Sequence, residues 1–164
     1  MAVVPKKKTI ISIGTAAQNR RARFDYTIGQ TFEAGLVLYG PEVKSLRLGR
    51  ASIAEAWAGE REGEMFLFGC HIPEYQAGSF MAKFDPVRPK KLLLHQKEIR
   101  TLVGAVTRDG ATLVPIEILF NEKGRAKVVI GLAVGKKLHD KRHAIASRDW
   151  QRDKARMMRN KGGE

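Results

Sequence analysis

Thr31-Phe32-Glu33-Ala34-Gly35-Leu36-Val37-Leu38-Tyr39 puts Phe32, Ala34, Leu36 and Leu38 on one face of a predicted β-strand. Gly35 inside it predicts a bulge or a sharp bend, as the corner of a small barrel requires. Gly40-Pro41 ends the strand. Pro41 suits the first turn of a helix, which the sequence predicts through Leu48 with a stop at Gly49. On that helix Val43, Leu46 and Arg47 share a side, while Glu42, Lys44 and Ser45 lie near its first turn.

Working outward, Ser52 to Trp57 predicts a strand, followed by the charged turn Glu60-Arg61-Glu62-Gly63-Glu64 and a strand from Met65 to Ile72. Trp57 and Phe66 to Phe68 make this hairpin rich in aromatic rings. Residues 73–90, with Pro73, Pro86 and Pro89, read as a long functional or mobile loop. Lys90 to Leu94 leans to strand, and His95 to Val103 has helical spacing ended by Gly104. Ala111 to Phe120 and Arg125 to Val134 are β-rich runs joined by the turn Asn121-Glu122-Lys123-Gly124, with Pro115 confined to an edge or bulge. Short strands with glycine-marked bends and intervening helices predict a mainly β protein: a partly open, oligonucleotide-binding type of barrel with added helices.

Charge divides the same chain into three. Residues 1–23 hold six Lys/Arg and no acid, residues 24–134 hold fourteen against thirteen, and residues 135–164 hold ten against four. The reading is a flexible basic arm over 1–18, a barrel over 19–134 and a basic tail over 135–164, disordered or loosely helical when free. The other arrangement open to the tail is a helix packed on the barrel through Trp150 and Met157. Two cationic arms on a neutral body point to a polyanion, because each phosphate neutralised releases condensed counterions.

Composition narrows the chemistry further. The lone Cys70 excludes an internal disulfide and fits a reducing compartment, so the expected address is the cytoplasm. No apolar run approaches the roughly 20 residues of a membrane span. Gly131 to Lys137 has three residues between its glycines where a phosphate-binding loop needs four, and Lys137 stands in place of Ser/Thr, which excludes ATP or GTP. His139 and His143 share the spacing of some zinc ligands but lack a third ligand other than Asp140, which sits beside Lys141 and Arg142. Glu42-Val43-Lys44, with Asp25, leaves open an acid–x–Lys magnesium nuclease site, although a glutamate at a helix start also serves the helix dipole.

Several stretches carry a more specific signal when taken together and in order. They are Asn19-Arg20-Arg21-Ala22-Arg23, Glu33-Ala34-Gly35-Leu36-Val37-Leu38, Glu42-Val43-Lys44-Ser45-Leu46-Arg47, Lys91-Leu92 with Leu94, and Gly135-Lys136-Lys137 with His139-Asp140-Lys141-Arg142. From about Asn19 to Met158 the chain resembles the small protein B family, the tmRNA-binding (SsrA-binding) proteins of bacterial trans-translation.

The resemblance implies a barrel that binds the tRNA-like domain of tmRNA, mimicking its missing anticodon arm. Asn19, Glu42 and the Leu92 to Leu94 segment match positions that the family uses for tmRNA, with Glu42 as an acceptor to base or ribose edges. With them, Arg20, Arg21, Arg23, Lys44 and Lys91 complete the expected RNA-binding set. The tail is implied to enter the empty mRNA channel of a stalled 70S ribosome. Lys136, Lys137, His139, Asp140, Lys141 and Arg142 would lie by the small-subunit rRNA of the decoding centre, with Trp150, Met157 and Met158 in a distal helix. No catalytic residue, metal, cofactor or membrane is expected, and the chain should act as a monomer. Pro41, where the family often has Thr, and the divergent loop from Ile72 to Asp85 depart from the pattern. A general translation-associated RNA-binding barrel, such as an initiation-factor-like module, shares the fold and the charge. On the tmRNA reading, Glu42→Ala should weaken RNA binding without unfolding the barrel.

Overall fold

Seven strands built from the Val-, Ile-, Leu- and Phe-rich runs form one antiparallel sheet that curls back on itself. The computed structural model describes residues 10–75, 85–135 and 138–161. In chain order the elements are β1 (Gly14–Gln18), α1 (Ala22–Asp25), β2 (Tyr26–Leu36), α2 (Gly40–Arg47), β3 (Trp57–Arg61) and β4 (Glu64–Phe68). There follow β5 (Lys90–Leu93), α3 (Gln96–Asp109), β6 (Thr112–Phe120), β7 (Ala126–Gly135) and α4 (Leu138–Lys161). The sheet order is β1-β6-β3-β4-β5-β2-β7, and the β6–β7 hairpin closes the six strands from β6 to β7 into a ring, with β1 added on β6. Closure is uneven: β6 meets β3 at the single pair Ala58↔Leu113, while β6 and β7 pair from Thr112↔Ala133 to Phe120↔Ala126.

Inward positions fill the ring. Phe32, Ala34 and Leu36 of β2, Met65 and Leu67 of β4, Leu92 of β5, Leu113, Ile118 and Phe120 of β6, and Val128 and Ile130 of β7 form one buried cluster. Leu46 of α2 and Leu102 of α3 plug it from outside the sheet. Arg47 caps the end of the core: its guanidinium lies 4.3 Å over the Phe120 ring and donates to the carbonyls of Ile11, Ser12 and Gly124. Carbonyl acceptors and an aromatic face together satisfy a half-buried cation.

Several expectations shift in the structure. The helix after Gly40 runs to Arg47. Ser52 to Ala56 holds only the isolated bridge Ser52↔His71, and the strand begins at Trp57, because the turn lies at Glu62-Gly63, where both residues have positive φ. Gly104 does not end α3. That helix continues to Asp109 and is capped by Gly110 at φ 63, a left-handed conformation that glycine adopts without strain. Gly35 keeps its register with Leu93 and Lys127; a Cβ there would sit 3.1 Å from Leu93 Cβ, so glycine marks a close approach rather than a bulge. The register slips of the long strands lie between Ile28 and Thr31 and between Pro115 and Glu117, the second at the expected proline. Within the arm read as flexible, Gly14–Gln18 adds a strand to β6; residues 1–9 lie outside the described residues.

Of the two states read for the tail, disordered or loosely helical, the described residues show the helical one. Residues 138–161 form one α-helix of 24 residues, although the apolar stripe is thin. Alanine, arginine, lysine, glutamine and methionine are good helix formers, and length offsets the cost of nucleation. Nor is it docked through the residues proposed for docking: Trp150 and Met157 are 64% and 68% exposed. It meets the body at Arg148, whose guanidinium lies 5.4 Å over the ring of Phe24 in α1.

Cys70 is fully buried, and burial pushes its thiol up to about 11. The folded protein therefore keeps a proton that the unfolded chain loses near pH 9, so stability falls between about pH 9 and 11. Cys70→Ala should flatten that decline in stability by about 3 kcal/mol, the worth of a shift of this size. Iodoacetamide should label Cys70 only on unfolding.

Candidate nucleic-acid interface

Because strand side chains alternate, the predicted RNA contacts on β5 are assigned by their parity. In β5, Lys91 and Leu93 point outward: Leu93 is 56% exposed, and Lys91 Nζ donates to Glu64 Oε1 at 2.8 Å across an exposed pair. Leu92 faces the core and Leu94 packs half-buried against it. Of the expected contacts here, Lys91 is therefore presented to solvent, whereas Leu92 is structural. The exposed apolar side chain of the segment is Leu93, flanked by Glu33, His95 and Lys127 around a shallow cleft. Strand parity from Phe32 in β2 does not reach β5, so the sequence alone did not single Leu93 out.

The Asn19–Arg23 segment runs from the end of β1 into α1. Asn19 is buried, and its Nδ2 donates to the carbonyls of Ile53 and Pro115 at 3.4 and 3.3 Å, while its backbone N–H donates to Ile116. The side chain therefore anchors the segment to the barrel. Arg20, Arg21 and Arg23 are exposed, with Arg21 Nε 3.9 Å from Asp25 Oδ2 one helical turn away. A cleft of about 420 Å³ brings Asn19, Arg21, Asp25 and Tyr26 together with Trp57.

Glu42 departs from its expected role as a contact to base or ribose. Its side chain is fully buried. Oε1 accepts the Tyr39 backbone N–H at 2.8 Å, one half of a capping box at the start of α2, and also pairs with Arg88. Oε2 lies 3.9 Å from Lys90 Nζ and has no hydrogen bond of its own. Arg88 lies 4.1 Å over the Tyr39 ring, and Lys90 donates to the carbonyls of Cys70, Arg88 and Pro86. Desolvation lowers the Lys90 pKa from its ordinary value. Glu42 is thus the anion of a buried cluster joining α2 to the strand entry at β5, and it is closed to RNA and to a metal in this conformation. Among the described residues, no three His, Cys, Asp or Glu side chains gather as metal ligands. The exposed member of the motif is Lys44, whose Nζ lies 5.5 Å over the Tyr75 ring. With Ser45 Oγ donating to the Pro73 carbonyl, both ends of the 73–90 loop are tied to α2; residues 76–84 lie outside the described residues.

In the tail, Lys136 and Lys137 lie outside the described residues, and His139, Asp140, Lys141 and Arg142 fall in the first turns of α4. Arg142 is exposed. Beyond it Ile145, Trp150, Met157 and Met158 are exposed apolar side chains on a basic helix, with Lys154 Nζ 5.2 Å over the Trp150 ring. An exposed apolar and cationic helix without a core of its own has the makeup of an element that completes itself on a partner.

A basic-armed barrel of this kind, with arginines at one edge and a cationic helix leaving the β2–β7 end, belongs to the class of nucleic-acid-binding barrels. The SmpB protein family model matches residues 16–160, and the chain belongs to that family. It is similar to an SsrA-binding protein of Granulibacter bethesdensis, 65% identical over 95% of this chain and 96% of the relative. It is also similar to an SsrA-binding protein of Gluconacetobacter diazotrophicus, 62% identical over 94% of this chain and all of the relative. Among solved structures, a chain from "tmRNA-SmpB: a journey to the center of the bacterial ribosome" matches with a TM-score of 0.63 and 49% identity, covering 78% of this chain and 92% of that one.

Removing the Glu42 carboxylate leaves Arg88 and Lys90 as unbalanced buried cations. Glu42→Ala should therefore destabilise the barrel by about 3 kcal/mol in urea unfolding. That replaces the expectation of an intact fold, and any loss of RNA binding in this variant must be corrected for unfolded protein.

Proposed function

We propose that this protein binds the tRNA-like domain of tmRNA through its barrel and carries it, in the cytoplasm, to ribosomes stalled without a codon. The α4 tail then probes whether the mRNA channel is vacant, so that the nascent chain is tagged and the ribosome released. The observation that carries this reading is one chain with two separately exposed cationic surfaces, in a member of a family whose relatives are SsrA-binding proteins. The barrel offers fixed geometry, and the matching solved structure is described as tmRNA-SmpB in the bacterial ribosome.

On this reading the residues divide the work between barrel and tail. Arg20, Arg21, Arg23, Lys44 and Lys91 meet phosphates and ribose on the barrel, which fixes orientation rather than sequence. Asn19, Glu42, Leu92 and Leu94 act by holding those cations and the Leu93 surface in place. Lys136, Lys137, His139, Asp140, Lys141 and Arg142, the first cations and polar groups of the tail sequence, meet the small-subunit rRNA of the decoding centre. Trp150, Met157 and Met158 supply the apolar side of the helix in the channel. A channel already holding mRNA excludes the helix sterically, which gives selectivity for stalled ribosomes. No metal or cofactor takes part, and the protein acts as a monomer without catalysing a reaction itself.

Ending the chain after Val134 should leave the affinity for tmRNA within about threefold, since the barrel contacts remain, and should abolish tagging in a reconstituted stalled-ribosome assay. Equal loss of both would overturn the division of labour. Competition with an unrelated structured RNA of equal length tests the preference for the tRNA-like fold.

A further inference from the structure

The outer face of β3 and β4 carries aromatic rings that neither the core nor the expected RNA-binding set uses. Trp57, Gly59 and Arg61 alternate outward on β3; opposite them stand Phe68, Phe66 and Glu64 of β4. Trp57 is 49% exposed and stacks on Phe68, with ring centroids 4.5 Å apart and planes 22° from parallel. Phe66, half-buried, stands 6.2 Å from Phe68. The next strand adds a cation in the same row, because Phe66 pairs with Lys91 of β5.

Gly59 is what lays the indole down. A Cβ at position 59 would fall 2.6 Å from Cζ3 of Trp57, so the ring crosses the space that any other residue would fill. Clefts of about 390 and 420 Å³ flank it. The first is apolar, lined by Val103 and Val106 of α3; the second holds Arg21 and Asp25. The indole thus forms a flat ridge with open space along two edges, in a surface where rings lie beside Arg61, Lys91 and Arg21.

We propose that this outer face is a stacking surface for an unpaired run of RNA. Bases lie on Trp57 and Phe66, and the backbone follows Arg21 on one side and Lys91 on the other. The inference rests on the RNA-binding reading above and specifies which kind of RNA segment this face takes. Paired bases present no free face to an aromatic ring, whereas unpaired ones do. Rings interleaved with cations are the chemistry of single-stranded binding, with stacking tolerant of sequence. The Lys91–Glu64 ion pair is exposed and weak, so a phosphate can replace its carboxylate.

The test uses the full-length chain and an unstructured hexaribonucleotide carrying 5-iodouridine. On irradiation, crosslinks should map to peptides containing Trp57 or Phe66, and an unlabelled hexamer should suppress them where a blunt RNA duplex does not. Trp57→Leu should weaken hexamer binding about tenfold, while Trp57→Phe, which keeps a ring, restores most of it. A thermal melt of each variant checks folding, and the crosslink map needs only the unaltered protein. Crosslinks confined to Arg20–Arg23 or to α4, or unchanged affinity in folded Trp57→Leu, would overturn the stacking surface. If the protein then still shifts a tRNA-like RNA, the proposed function stands without it. Loss of binding to both RNAs in the unaltered protein would overturn the two together.

Discussion

The pairing of β6 with three different strands is the constraint on which the rest of this structure depends. Along one edge it meets β7; along the other it meets β1 near its end and β3 near its start. That sharing closes the ring and gives every strand residue a choice of only two directions, core or solvent. Pro115, unable to donate a ladder hydrogen bond, sits where the β6–β7 register slips, and its carbonyl takes the Asn19 amide instead. The arginine-bearing segment is therefore tied to the strand that closes the barrel, and the outward cations inherit its rigidity.

A second constraint is electrostatic. Burying one carboxylate between two cations is costly in an apolar interior unless each group is met, and here the meeting is incomplete: Glu42 Oε2 and Arg88 Nε are buried without hydrogen bonds. What the cluster supplies is connection, because α2, Tyr39 and the entry to β5 are held by one set of charges. The exposed Lys91 and Leu93 follow directly from the strand that Lys90 pins. A residue can therefore matter to RNA binding without reaching RNA.

Much of this was legible before the structure. The alternation in Phe32 to Leu36, the turn at Asn121–Gly124 and the helix start at Pro41 are local signals that the elements follow, although β2 begins at Tyr26 and ends at Leu36, short of the predicted Tyr39. What sequence could not resolve was non-local. Glu42 at a helix start reads as polar and accessible, since its partners Arg88 and Lys90 lie more than forty residues away. Gly104 reads as a helix stop, but Leu102 docks in the core and carries the helix past it. The tail's thin apolar stripe left disorder and a loose helix both open, and intrinsic propensity over many residues decides for the helix. Which leucine of Lys90 to Leu94 faces out depended on a register that only pairing with β2 and β4 defines.

The length of the tail helix has a metric consequence. At about 1.5 Å of rise per residue, the helix from Leu138 to Lys161 spans roughly 36 Å, anchored at the β7 end where Gly135 faces Tyr26. On the proposed function, a helix of that extent would work as a gauge, reporting not merely that a passage is unoccupied but that it is clear over the helix's own depth. Shortening it turn by turn would then lower the free depth that the molecule demands.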